Sequence, residues 1–99
     1  MTTISMGKYV SSFGEDKDKA RQIREKHLAP ALGEGESIVL DFSDVEDVTQ
    51  SFIHALISEM IRVYTPHVLD LLEFKNCNEK VKTIISIVVE YTQDNLAME

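Results

Sequence analysis

The sequence contains one cysteine, Cys77, no tryptophan, four glycines and two prolines among its 99 residues. A single cysteine cannot form an internal disulfide, which excludes a disulfide-stapled scaffold and makes the reducing cytoplasm the expected location. All four glycines lie within the first 35 residues, and no linker rich in proline, glycine or serine divides the chain. We therefore predict one domain over 1–99.

Long apolar runs and basic clusters are also missing. No stretch approaches the ~20 apolar residues that cross a bilayer, and the first residues lack the basic start and apolar run of a signal peptide. We therefore expect no membrane association. Seventeen acidic residues against ten basic ones give a net charge of −7. Such a surface repels phosphate backbones, so we expect no nucleic-acid partner, and a basic surface on another protein fits the charge better.

Residues that could bind a metal or a cofactor are scarce and scattered. The three histidines, His27, His54 and His67, fall on different predicted elements and have no ligand spacing with one another or with Cys77. Neither a zinc site nor a Cys–His nucleophilic pair is predicted. The chain also lacks a phosphate-binding glycine loop and a dinucleotide fingerprint, so we expect no cofactor.

The apolar periodicity predicts alternating strands and helices. Asp16 is a candidate N-cap of the first helix, which Pro30 is expected to end or kink. The predicted elements are a strand over 3–11 that bends at Gly7, a helix ending near Gly33, a strand over 37–42, a helix over 51–64 ending near Thr65–Pro66, a strand over 69–74, and a helix capped by Asn76 or Asn78.

Alternation of this kind predicts an α/β fold with a three- to four-stranded, mostly parallel or mixed sheet packed with about three helices. The central strand contains the apolar run Ile38-Val39-Leu40, which is typical of a strand covered on both faces. We expect two helices on one face of the sheet and the third at an end or on the other face.

An acidic segment follows the predicted central strand. Its carboxylates could bind a cation, but their spacing matches no EF-hand loop and no two-metal motif, so a solvated loop is the favoured interpretation. Open α/β sheets place their binding surfaces at the carboxyl ends of the strands. We therefore predict a partner-binding face formed by the loop and the start of the second helix. The loop carboxylates are Asp41, Asp44, Glu46 and Asp47, and the predicted binding residues are Asp44, Glu46, Asp47, Gln50, Ser51 and His54.

Ser51 is the sharpest candidate for a switch, because unpaired N–H groups and the helix dipole favour an anion in the first turn of a helix. A phosphate there would add up to two negative charges. The alternative is that Ser51, or Thr49 before it, is an N-cap, and the acidic neighbours would repel a phosphate. His54 lies three residues after Ser51, but no third orienting group and no Gly-x-Ser-x-Gly motif accompanies the two. Catalysis is therefore not predicted, and Cys77 is expected to be structural or incidental.

The segment from Ile38 through Val45 to Ser51-Phe52 resembles STAS domains, which include bacterial anti-sigma-factor antagonists. With Gly7-Lys8-Tyr9, the run from Leu28 to Leu32 and Met60-Ile61-Arg62, the chain more closely resembles the bacterial STAS-like family of unknown function. Phe52 stands where the antagonists usually have glycine. The resemblance implies a STAS-like fold, a regulatory module without catalysis, phosphorylation at Ser51 or Thr49, and a histidine-kinase-like ATPase as the partner.

Three hypotheses about function follow, in order of preference. The first is a regulatory protein–protein interaction module that uses the acidic loop and the start of the second helix. The second is a structural subunit that self-associates, for example as a homodimer. The third is a small-ligand-binding protein or an enzyme that uses the loop over 41–51.

Overall fold

Three parallel strands form the main sheet of the computed structural model, which describes residues 2–10, 12–64 and 68–97. The strands are β1 (Thr2–Ser5), β3 (Ile38–Asp41) and β5 (Leu72–Lys75), and β3 lies between the other two. Their register aligns Ile4 with Leu40 and Leu40 with Phe74. The predicted α/β class, the parallel sheet and the central position of the 37–42 strand are therefore confirmed.

Two long helices connect these strands, and each contains a π-helical turn. The first consists of α2 (Lys17–Ile23), a π-turn (Arg24–Leu28) and α3 (Ala29–Gly33). The second consists of α4 (Gln50–Ile53), a π-turn (His54–Ser58) and α5 (Glu59–Tyr64). A single helical turn, α6 (Val68–Leu71), precedes β5, and the last helix is α7 (Glu79–Ala97).

Two of the residues predicted as helix N-caps, Asp16 and Asn78, have that role in the structure. Asp16 Oδ1 accepts the backbone N–H of Asp18 at 2.9 Å, and Asn78 Oδ1 accepts that of Val81 at 2.9 Å. Pro30 does not end its helix, since it lies just after the first π-turn and α3 continues to Gly33. The predicted helix end at 65–66 and His67 lie outside the described residues.

The strand predicted over 3–11 is confirmed only as far as Ser5, where β1 ends, and the rest of the prediction is wrong. Met6 is a turn residue, and its carbonyl accepts the N–H groups of Tyr9 and Val10 at 3.0 and 3.1 Å, so Gly7–Val10 forms the short helix α1. Gly7 is required there, because a Cβ atom on it would lie 2.6 Å from Cβ of Asp44. The alternation of apolar residues thus reflects burial in two successive elements.

All three long helices contribute to one core on one face of the sheet. Strand order β1-β3-β5 moves in a single direction, and right-handed crossovers then place both connecting helices on the same side. The α7 helix, which we expected at an end or on the other face of the sheet, packs against α4, α5 and the second π-turn. The core residues of the strands are Ile4, Ile38, Leu40 and Leu72, and those of α7 are Val81, Ile85 and Val88.

The other face of the sheet is polar, contrary to the expectation from the apolar run in β3. Val39 points to this face and lies outside the core cluster, although it is buried. The register flanks it with Thr3 and Glu73, which are both exposed. The apolar run therefore reflects burial by neighbouring strands and does not require a second layer of helices.

A second, two-stranded sheet includes part of the acidic segment that the sequence predicts as a loop. Strand β2 (Phe13–Gly14) pairs in parallel with β4 (Asp47–Val48). The N–H of Thr49 extends this pairing by donating to the carbonyl of Gly14 at 2.9 Å. The small sheet thereby fixes the backbone immediately before α4. No helix in the described ranges is long and apolar enough to cross a membrane.

Candidate functional site

Thr49 is the N-cap of α4. Its backbone is extended, and its Oγ1 accepts the N–H of Phe52 at 3.0 Å. Phe52 is fully buried, so this hydrogen bond also fixes the first turn of the helix against the core. Of the two hydroxyls proposed as caps or switches, Thr49 thus has the structural role.

Ser51 lies at the second position of α4, and its side chain is exposed. It is not the cap, and its hydroxyl makes no hydrogen bond to another residue in the described part of the chain. The N–H groups of Gln50 and Ser51 have no acceptor within the helix, because both belong to its first turn. Ser51 is therefore accessible to a modifying enzyme or a partner without loss of the cap.

A groove of about 420 Å³ lies between the start of α4 and the outer face of α7. One wall is polar and contains Lys17, Gln50, Ser51 and His54. The other wall is apolar and contains Ile87, Val88 and Tyr91, with Ala55 beside them. Ile87 is 41% exposed and Tyr91 is 59% exposed. We call this feature the α4–α7 groove.

The predicted binding residues fall into two groups. Gln50, Ser51 and His54 line the α4–α7 groove, whereas Asp44, Glu46 and Asp47 do not. Glu46 is held by its backbone, whose N–H donates to the carbonyl of Ser12 and whose carbonyl accepts Nδ2 of Asn78.

The two remaining carboxylates have local roles. Asp47 Oδ1 accepts the N–H of Val48 at 2.9 Å, and Asp44 lies beside Gly7. Within the described residues, no group of three histidine, cysteine, aspartate or glutamate side chains is placed to hold a metal ion.

Ser51 and His54 are three residues apart and both line the groove. No hydrogen bond joins their side chains in the described structure. The backbone carbonyl of His54 accepts the hydroxyl of Ser58 at 2.6 Å, which anchors the π-turn in which His54 lies. The spacing of three residues places both side chains along the groove.

Asp41, at the carboxyl end of β3, holds two neighbouring segments together. Its Oδ1 accepts Nδ2 of Asn76 at 3.1 Å and the N–H of Ser43 at 2.9 Å. The hydrogen bond from Asn76 is the main reason that the pKa of Asp41 lies below its ordinary value, and the bond from Ser43 adds to it. Near this site, burial raises the pKa of the Cys77 thiol, which disfavours the reactive thiolate.

Sequence reasoning missed half of the groove. Neither Lys17 nor the apolar wall was predicted as part of a binding surface. The signal was available, because Ile87 and Tyr91 are spaced i, i+4 and lie away from the buried stripe of Val81, Ile85 and Val88. A second apolar stripe on one helix indicates a surface that is solvated in this chain and available to a partner.

A three-stranded parallel sheet with its helices on one face, and an exposed serine in the first turn of the second crossover helix, define a small α/β domain of STAS-like architecture. Comparison with protein families agrees. The model of the STAS-like domain of unknown function (DUF4325) matches residues 19–82, close to two thirds of the chain, and the chain belongs to this family. Comparisons with curated proteins and with solved structures gave no match. The matched segment contains Ser51 and His54, while Lys17 and the apolar wall of the groove lie outside it.

Proposed function

We propose that this chain is a regulatory module without catalytic activity that binds another protein through the α4–α7 groove. The observation that carries the proposal is the exposed pair Ile87 and Tyr91 facing the exposed Ser51 across the groove. Exposed aromatic and aliphatic side chains with a polar rim are typical of protein–protein interfaces. A histidine-kinase-like ATPase is the partner class that the family resemblance favours.

Phosphorylation of Ser51 would regulate this binding. A phosphate carries up to two negative charges and would lie on the polar wall of the groove, close to any bound partner. The helix start can accommodate the charge, and Thr49 would keep its capping hydrogen bond to Phe52. The modification would therefore block the groove and leave the fold intact.

The test is affinity capture of the tagged chain from its own cells, with intact-mass spectrometry of the captured material. The variants are Ser51→Ala, Ser51→Asp and Tyr91→Glu, with Val63→Glu as the matched control. Val63 is 60% exposed on α5 and does not line the groove, so its substitution adds the same charge elsewhere. We expect a partner that is retained by wild type, Ser51→Ala and Val63→Glu, and reduced at least about tenfold by Tyr91→Glu and Ser51→Asp.

The other outcomes point to different functions. A partner retained equally by Tyr91→Glu would bind elsewhere and contradict the groove. A chain that captures only further copies of itself, and sediments as a dimer, would favour the self-association hypothesis. Equal capture by wild type, Ser51→Ala and Ser51→Asp would contradict the switch and leave the groove as an unregulated binding site.

A further inference from the structure

The α4–α7 groove differs in charge from the chain as a whole. The chain has a net charge of −7. In the groove, Lys17 carries the one full charge that the described residues contribute, and none of the described carboxylates lines it. The groove is thus a basic and apolar site on an acidic protein.

The Lys17 ammonium group is not paired with either of the carboxylates next to it in sequence. Asp16 Oδ1 accepts the backbone N–H groups of Asp18 and Lys19 at the start of α2. The carboxylate of Asp18 pairs with Arg21 at 3.5 Å. Lys17 itself forms no ion pair with any residue that the structure describes.

We infer that the groove binds a peptide segment of the partner protein that carries a carboxylate side chain next to apolar side chains. This inference rests on the proposed function and specifies the chemistry of its partner. The apolar side chains would contact Ile87 and Tyr91, which are exposed in the free chain. The carboxylate would pair with Lys17 on the polar wall.

The acidic remainder of the surface opposes this binding only weakly. At physiological ionic strength the Debye length is about 8 Å, so exposed carboxylates beyond that distance are largely screened. A carboxylate in contact with Lys17 at the apolar wall is screened much less. Phosphorylation of Ser51 would therefore weaken binding, because the phosphate would neutralise Lys17 and repel the carboxylate of the partner.

The test uses the full chain labelled with ¹⁵N and two capped peptides followed by NMR titration. One peptide is acetyl-Leu-Glu-Phe-Glu-Leu-amide, and the other has lysine in place of both glutamates. We expect the glutamate peptide to shift the amides of Ser51, His54, Ile87 and Tyr91, and to bind at least about tenfold more tightly than the lysine peptide. One charge-assisted contact accounts for a difference of that size.

Two charge reversals separate the groove from the general charge of the helix. Lys17→Glu should lower the affinity for the glutamate peptide at least about tenfold, and Lys19→Glu should leave that affinity unchanged. Lys19 is exposed on the same helix and does not line the groove, so both variants change the net charge by the same amount. Equal effects of the two variants would overturn the inference.

The remaining outcomes also decide the question. If the lysine peptide changed the amide chemical shifts of the groove residues as much as the glutamate peptide or more, the preference for an acidic segment would be wrong. The groove would remain the binding site. Shifts elsewhere, or none with either peptide, would overturn the inference, and capture with Tyr91→Glu would then decide the proposed function separately. Groove shifts that depend on protein concentration without peptide would identify a second copy as the occupant and likewise overturn it.

Discussion

Asp41 shows how one carboxylate at the end of a strand can be perturbed although it is close to solvent. Its pKa is lowered chiefly by the side-chain amide of Asn76. Because the folded pKa is below the unfolded one, the contribution of Asp41 to stability is present above the unfolded pKa of about 4. It is lost as the pH falls through the folded pKa. Asp41 therefore stabilises the folded chain at neutral pH, and loss of this contribution in acid favours unfolding.

Replacement of Asn76 by glycine should raise the pKa of Asp41 toward its ordinary value. Asn76 has a positive φ of 58°, which glycine adopts without strain, so the variant removes the amide and keeps the turn. The measurement is an NMR pH titration of the Asp41 Cγ resonance. An unchanged pKa in the variant would mean that the bond from Ser43 is sufficient to hold it down.

Thr92 presents the opposite case, a buried polar group with no partner. It is 0% exposed on α7, and its Oγ1 has no hydrogen-bond partner in the described structure. Valine has nearly the same shape and no hydroxyl to desolvate. We expect Thr92→Val to raise the free energy of unfolding by about 1 kcal/mol, as measured by urea denaturation.

The matched control for this prediction is Thr83→Val. Thr83 is exposed on the same helix, and its hydroxyl donates to the carbonyl of Glu79 at 2.8 Å. It should change stability little. If Thr92→Val destabilised the protein more than Thr83→Val, the hydroxyl of Thr92 would have a partner or a role that the packing does not reveal.

Among the structural elements, the two π-turns are the least ordinary, and Arg24 links them. Arg24 begins the first π-turn, and its Nη1 donates to the carbonyl of Ala55 in the second at 2.9 Å. Its Nη2 pairs with Glu59 at 3.2 Å. A π-turn leaves carbonyls without their usual helical donors, and here a side chain from the neighbouring helix supplies one. The π-turn that it holds contains His54 and Ala55, which line the groove.

Replacement of Arg24 by methionine should therefore lower the free energy of unfolding by about 1–3 kcal/mol, because it leaves the Ala55 carbonyl without its donor. Arg24→Lys should have a smaller effect, since an ammonium group keeps the charge but cannot reproduce the planar fork. Arg21→Met is the control, because Arg21 and Asp18 form an exposed pair. Urea denaturation measures all three, and equal losses for Arg24→Met and Arg21→Met would contradict the role of the π-turn.

Element types could be predicted from sequence more readily than the irregularities within them. The helix over 51–64 was expected from its apolar stripe, and that stripe continues through the π-turn because Leu56, Ile57, Met60 and Ile61 are buried. Periodicity alone therefore does not reveal the extra residue in the turn. The strand pair β2–β4 was missed for a related reason, since two residues in each strand are too few to show alternation.

At the scale of the whole molecule, the α/β class follows from alternation, but the coverage of the sheet does not. An apolar run such as Ile38-Val39-Leu40 is compatible with one covered face or two. The register decides between them by placing Thr3 and Glu73 beside Val39. The candidate site was also predictable only in part. Ser51 and His54 lie on a helix whose start is visible in the sequence, whereas Lys17 and Tyr91 join them only through tertiary packing.

Strand order also has a consequence for how the chain is synthesised. Because the sheet runs β1-β3-β5, each strand that emerges adds to the edge left by the one before it. No strand has to insert between two that are already paired. The pairing of Thr2 with Ile38 can form before the residues of β5 have been made, and Leu72 then joins the free side of Ile38. The sheet can thus assemble in the same direction as translation, with the final helix completing its core last.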